Sequence, residues 1–87
     1  MKNWGFLGIA VFLMASGSAH AFSKCTTEPK DKWMSVEEFK KKIEAQGYTI
    51  RKFKQPGSCY EIYGKNKDGK KVEIYFNPVD ASIVKED

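Results

Sequence analysis

At Gly47 the spacing of apolar residues changes from a helical repeat to alternation, and few folds accommodate both halves of that pattern. Upstream, Ser35-Val-Glu-Glu38 is a capping box, in which the Ser35 hydroxyl accepts the Glu38 N–H and the Glu38 carboxylate returns to the Ser35 N–H. Met34 before the cap and Phe39 within the first turns form a hydrophobic staple. Glu37 and Glu38 precede Lys40, Lys41 and Lys42, the order that the helix dipole favours. Val36, Phe39 and Ile43 make one apolar stripe, and Gly47 ends the helix in a left-handed turn, so a helix is predicted over 36–46.

Downstream, residues 48–53, 59–65 and 70–77 alternate as strands, separated by loops carrying Pro56-Gly57 and Asn66-Lys67-Asp68-Gly69. Register follows from asking which pairing gathers the apolar residues on one face. A two-residue turn at Lys67-Asp68 would pair Ile62 with Glu73. A three-residue loop with Gly69 left-handed pairs Ile62 with Ile74 and Tyr60 with Phe76, and only this register makes a core. In the first hairpin the same logic pairs Ile50 with Ile62 and Tyr48 with Gly64. The inner face then holds Tyr48, Ile50, Tyr60, Ile62, Val72, Ile74 and Phe76. The outer face carries Arg51, Glu61 and Tyr75 in one row and Thr49, Tyr63 and Glu73 in another, with Phe53 beside Cys59. Asn77-Pro78-Val79-Asp80 turns the chain into a short edge strand over 81–85. The expected fold is α+β: one amphipathic helix on a three- to four-stranded antiparallel sheet.

The N-terminus reads as an export leader, with Lys2, an apolar run from Trp4 to Ala15, and Ala19-His20-Ala21 as a small-x-small cleavage site. Removing 21 of the 87 residues leaves 66, and losing Lys2 lowers Lys+Arg from 15 to 14 against 11 Asp+Glu, a net charge of +3. The only histidine, His20, and both leucines leave with the leader. What remains lacks an imidazole for acid–base work, a triad or metal ligation, and its Val and Ile favour strands. No GxSxG surrounds Ser23, Ser35, Ser58 or Ser82, so the chain is expected not to be an enzyme and to need no cofactor. Asn66 and Asp68 are turn residues rather than calcium ligands, because Gly64 and Tyr75 fall where an EF-hand loop needs carboxylates. So small a core calls for a staple, and Cys25 and Cys59, the only thiols of an exported chain, are expected to form a disulfide. Residues 22–32 form an irregular arm held by it.

Trp33-Met-Ser-Val-Glu-Glu, Gly47-Tyr48, Tyr60-Glu-Ile-Tyr63, Asp68-Gly69 before Val72-Glu-Ile-Tyr75, Asn77-Pro78 and the closing Ile83-Val-Lys85 together resemble the small exported PepSY domain proteins over residues 33–87. The resemblance implies inhibition or regulation of a peptidase outside the cytoplasm, and a fold similar to one repeat of the beta-lactamase inhibitor protein. It implies no catalytic residues. The chain departs from the family at Asp80-Ala81, where Thr-Gly is common. A left-handed alanine costs roughly 1 kcal/mol relative to glycine, so this turn is expected to lose the family geometry.

Two surfaces are candidates for function. Arg51, Phe53, Tyr63 and Tyr75 are residue types enriched in interfaces, and their sheet face is the expected docking surface for a protein partner, a secreted or periplasmic peptidase. Lys65, Lys67, Lys70 and Lys71 surround the second hairpin and offer an alternative, an accessory role in which the hairpin binds an anionic envelope component. Glu61 and Glu73 lie where an RNA-binding sheet would stack bases, so nucleic acid is not an expected partner. The chain is expected to act as a monomer in the periplasm or beyond, with at most peripheral envelope contact.

Overall fold

A computed structural model describes residues 22–87; the leader assigned to residues 1–21 lies outside the described residues. After a 3-10 turn at Lys30–Lys32 come α1 (Val36–Ala45), β1 (Thr49–Lys54), β2 (Tyr60–Lys65), β3 (Lys71–Phe76) and β4 (Ile83–Glu86). The four strands form one antiparallel sheet in sequence order, with the helix across one face. None of the described helices is long and apolar enough to cross a membrane.

Both arms of the capping box are present, the Glu38 N–H donating to Ser35 Oγ at 3.0 Å and the Ser35 N–H to Glu38 Oε1 at 3.3 Å. Gly47 stands at φ +104°, which turns the chain out of α1 and into β1. Phe39 and Ile43 are wholly buried from the helix side, as are Ile62, Ile74 and Phe76 from the sheet side. Each such side chain contributes roughly 1.5–3 kcal/mol of burial. Tyr60 closes the core: its hydroxyl donates to the Met34 carbonyl at 2.7 Å, and Trp33 meets its ring edge-on at 5.7 Å.

The second hairpin has the expected register, Tyr60 opposite Phe76 and Ile62 opposite Ile74. The first does not. Ile50 pairs with Gly64, not Ile62, and a bulge between Ile50 and Lys52 then brings Phe53 opposite Ile62. The reason is burial: Ile50 and Phe53 are three residues apart, and two such residues share a face only when a bulge inserts one. Phe53 therefore turns inward, 5.2 Å from the Tyr60 ring and 5.9 Å from Phe39. Tyr48 lies before β1 and meets Phe76 edge-on rather than pairing with Gly64. What covers Gly64 is backbone, since a Cβ there would stand 1.8 Å from the Thr49 carbonyl oxygen.

The disulfide between Cys25 and Cys59 ties the arm to the start of β2. Ser58 reinforces it, its Oγ accepting from the Cys25 N–H at 2.9 Å and the Thr26 N–H at 3.2 Å, while its own N–H donates to the Ser23 carbonyl at 3.1 Å. In the last turn Ala81 is left-handed, at φ +63°, against the expectation for a residue with a Cβ. The surrounding bonds over-determine it: the Ala81 N–H donates to the Asn77 carbonyl at 2.7 Å, the Asn77 N–H to the Ser82 carbonyl at 2.8 Å, and the Ser82 N–H to Asp80 Oδ1 at 2.9 Å. The alanine is itself buried among core residues.

Candidate functional site

Alternation along β2 and β3 places Glu61, Tyr63 and Lys65 beside Tyr75, Glu73 and Lys71 on the face away from the helix. Cross-strand pairing sets Glu61 against Tyr75 and Tyr63 against Glu73, so carboxyls and phenols alternate in a two-by-two block. On the far side the bulge brings Lys52 opposite Tyr63 and Lys54 opposite Glu61. Both ammonium groups lie over the Tyr63 ring, at 5.9 and 5.6 Å, and neither forms an ion pair with Glu61.

The two carboxyls have opposite environments. Glu61 is only 2% exposed, and its Oε2 is buried without a hydrogen-bond partner. Burial first, and then a hydrogen bond shared with Glu73, raise its pKa. Glu73 is pulled the other way, because Glu61 holds the proton and donates to it. The pair behaves as one acid and one carboxylate sharing a proton. Tyr63 is held protonated by its hydrogen bond to Glu73 and then by desolvation. Burial, and a hydrogen bond to Glu73 Oε2 at 3.1 Å, push Tyr75 up to about 12.

Toward the second hairpin the face becomes cationic. Lys65 and Lys71 stand directly opposite one another, an arrangement that costs stability unless something anionic sits between them. Arg51, exposed at the bulge, joins Tyr63, Gly64, Lys71 and Val72 around a recess of about 90 Å³. Among the described residues the only ion pair is Lys85–Asp87, at the edge beside Glu73 and Tyr75, and it includes none of the cations of this recess.

The structure redistributes the expected site residues. Arg51 and Tyr63 remain accessible on the outer face, and Lys65 and Lys71 join them there, merging parts of two surfaces that the sequence suggests separately. Phe53 is absent from that face, for the reason given by the bulge. Tyr75 is on it but only 4% exposed, with the Phe22 ring edge-on at 5.3 Å. The arm lies where an open docking surface was expected. Lys67 and Lys70 stay at the hairpin tip, where Asn66 Oδ1 accepts the Asp68 and Lys70 N–H groups at 2.9 and 3.1 Å. Lys67 packs against Gly47 at the end of α1 and, with Gln46, Tyr48, Asn66 and Asp68, lines an open hollow of about 310 Å³. Lys52 and Lys54 belong to the outer face as well. Their membership was hidden because it depends on the bulge, and only the three-residue spacing of Ile50 and Phe53 signals it. The serines have structural roles: Ser35 caps α1, Ser58 holds the arm and Ser82 closes the last turn.

A family model described as the peptidase propeptide and YPEB domain matches residues 6–87. No curated protein and no solved structure matches the chain.

Proposed function

Because the chain belongs to the PepSY family of peptidase propeptide and YPEB domains, we propose that it is an exported, non-catalytic domain that regulates a peptidase outside the cytoplasm by binding it. The surface that supports this reading is the outer face around Tyr63. Arg51, Lys52, Lys54, Lys65 and Lys71 surround one amphipathic ring, lack anionic partners among the described residues, and sit on a rigid sheet. Arginine and tyrosine at such a centre are residue types that dominate binding energy, while the lysine rim steers an acidic partner and fades with salt over a Debye length of about 8 Å at 0.15 M. The monomer carries the whole face, so a single copy suffices.

The test uses the purified protein and the proteolytic activity of the medium or envelope of the cells that produce it. Wild type lowers that activity in a dose-dependent manner, and the effect weakens with salt. An Arg51→Glu, Tyr63→Ala double variant loses the effect while keeping its near-UV circular dichroism. Lys67→Glu with Lys70→Glu at the hairpin tip retains it. If the tip variant loses the effect and the face variant keeps it, the hairpin reading replaces this one.

A further inference from the structure

A carboxylate as buried as Glu61 is costly unless it is paired or hydrogen-bonded, and its Oε2 is neither. The charged and titratable groups around it are Tyr63 on β2, Glu73 and Tyr75 on β3, Lys52 and Lys54 on β1, and Lys85 and Asp87 at the C-terminal edge. None of them neutralises it. Both β1 lysines are drawn over the Tyr63 ring, and Lys85 pairs with Asp87.

The arm brings a further group to this place. The disulfide and the Ser58 bonds fold residues 22–26 back over the start of β2, and Phe22 reaches Tyr75. The backbone N–H of Phe22 is directed at the Tyr75 hydroxyl, and that hydroxyl donates to Glu73 Oε2. The Phe22 nitrogen thus stands one hydroxyl away from Glu73, the neighbour of the carboxyl whose buried Oε2 is unsatisfied. The bond on its other side, Ala21–Phe22, is the one that the expected removal of the leader would cut. Hydrolysis breaks that C–N bond and adds water, leaving a carboxylate on Ala21 and an amine on Phe22 that takes up a proton. One amide N–H becomes three charged donors.

We propose that the Glu61–Glu73 pair is the receptor for the α-ammonium of Phe22, so that removal of the leader after Ala21, the export on which the proposed function also rests, locks the arm over the outer face. Before cleavage the pair can remain buried only by keeping its shared proton. After cleavage the ammonium supplies the missing donor and charge, and Glu61 can ionise in place. Cleavage would thereby fix which part of the outer face is offered to a partner: Tyr75 stays covered, while Arg51 and Tyr63 stay open.

The experiment exports the full chain from a bacterial host and compares it with a chain carrying Gly-Ser between Ala21 and Phe22, which moves the ammonium by up to about 7 Å. Intact mass defines the first residue of each. In the processed wild type, the Phe22 α-ammonium followed by ¹⁵N NMR should titrate at least one pH unit above its ordinary value of about 7.7–8.0. The melting temperature at pH 7 should exceed that of the insertion variant by several degrees. Glu61→Gln should return the ammonium to its ordinary value with the near-UV circular dichroism retained. An ordinary value in wild type that begins at Phe22, or coincident melting of the two chains, overturns the proposal. A mass showing another first residue overturns it together with the export reading. A raised Phe22 value in a chain that fails to inhibit any peptidase upholds the latch and counts against the peptidase reading alone.

Discussion

Gly64→Ala tests the packing of β1 on β2 at its tightest point. The added Cβ would lie 1.8 Å from the Thr49 carbonyl oxygen, 2.9 Å from the Thr49 carbonyl carbon and 3.2 Å from Ile50 Cα. All three are backbone atoms, so no side chain can swing aside. Restoring an ordinary contact requires β1 to retreat by about 1.5 Å, enough to carry a ladder hydrogen bond beyond its useful range. The pairs Thr49–Lys65 and Ile50–Gly64 are the ones affected. Losing about two ladder bonds at about 1 kcal/mol each, with some of the Ile50 packing, gives a cost of about 2–4 kcal/mol. A core of this size supplies roughly 3–5 kcal/mol, so the variant should be largely unfolded or lose β1. Urea denaturation followed by the fluorescence of Trp33, which abuts Tyr60, reads the loss. Gly69→Ala is the control: at φ +80° with nothing within 4 Å of its would-be Cβ, it should cost only about 1 kcal/mol. A Gly64→Ala variant no less stable than the Gly69→Ala control would refute the close approach and the bulged register with it.

Phe53→Ala should destabilise by about 2–3 kcal/mol in the same titration, since the ring packs on Phe39 and Tyr60; a change under about 0.5 kcal/mol would put the ring back on the outer face. Reducing the Cys25–Cys59 bond should cost about 3–4 kcal/mol on the chain-entropy account for a separation of 34 residues; the oxidised protein should take up no alkylating agent, and labelling of two thiols without reductant contradicts the bond. Burial raises the Glu61 pKa where Phe22 offers only a peptide N–H, so in the chain with Gly-Ser before Phe22 its contribution should be full below the ordinary carboxylate range and be lost as pH rises through the raised value. Melting temperatures of that chain should therefore fall from mildly acidic toward neutral pH, and Glu61→Gln should flatten the decline; an unchanged slope contradicts the shared proton.

The second hairpin was legible because two independent signals agreed, the Asn66–Gly69 turn and the match of Ile62 with Ile74. In the first hairpin they did not. Alternation alone is satisfied by several even-numbered shifts of β1, and the choice among them depends on backbone contact at Gly64 and on the bulge, neither of which has a side-chain period. The helix was legible to within a residue because its start is chemical, a capping box, and its end is a glycine. The arm was legible as a disulfide-held segment but not in its course, which is fixed by the Ser58 bonds and by Phe22 finding Tyr75. The candidate site inherited both errors. Arg51, Tyr63, Lys65 and Lys71 lie on the outer face, Phe53 is turned inward by the bulge, and the burial of Glu61 has no signal, since a glutamate on an outer strand position is ordinarily solvated.

The proposed working surface is most directly tested by hydrogen–deuterium exchange of the protein alone and with the peptidase whose activity it lowers. Protection gained on complex formation should fall on residues 51–54, 63–65 and 71–73 and leave α1 and β4 unchanged. Protection confined to α1, to β4 or to the hairpin tip at 66–70 would contradict the assignment of the outer face as the site of binding.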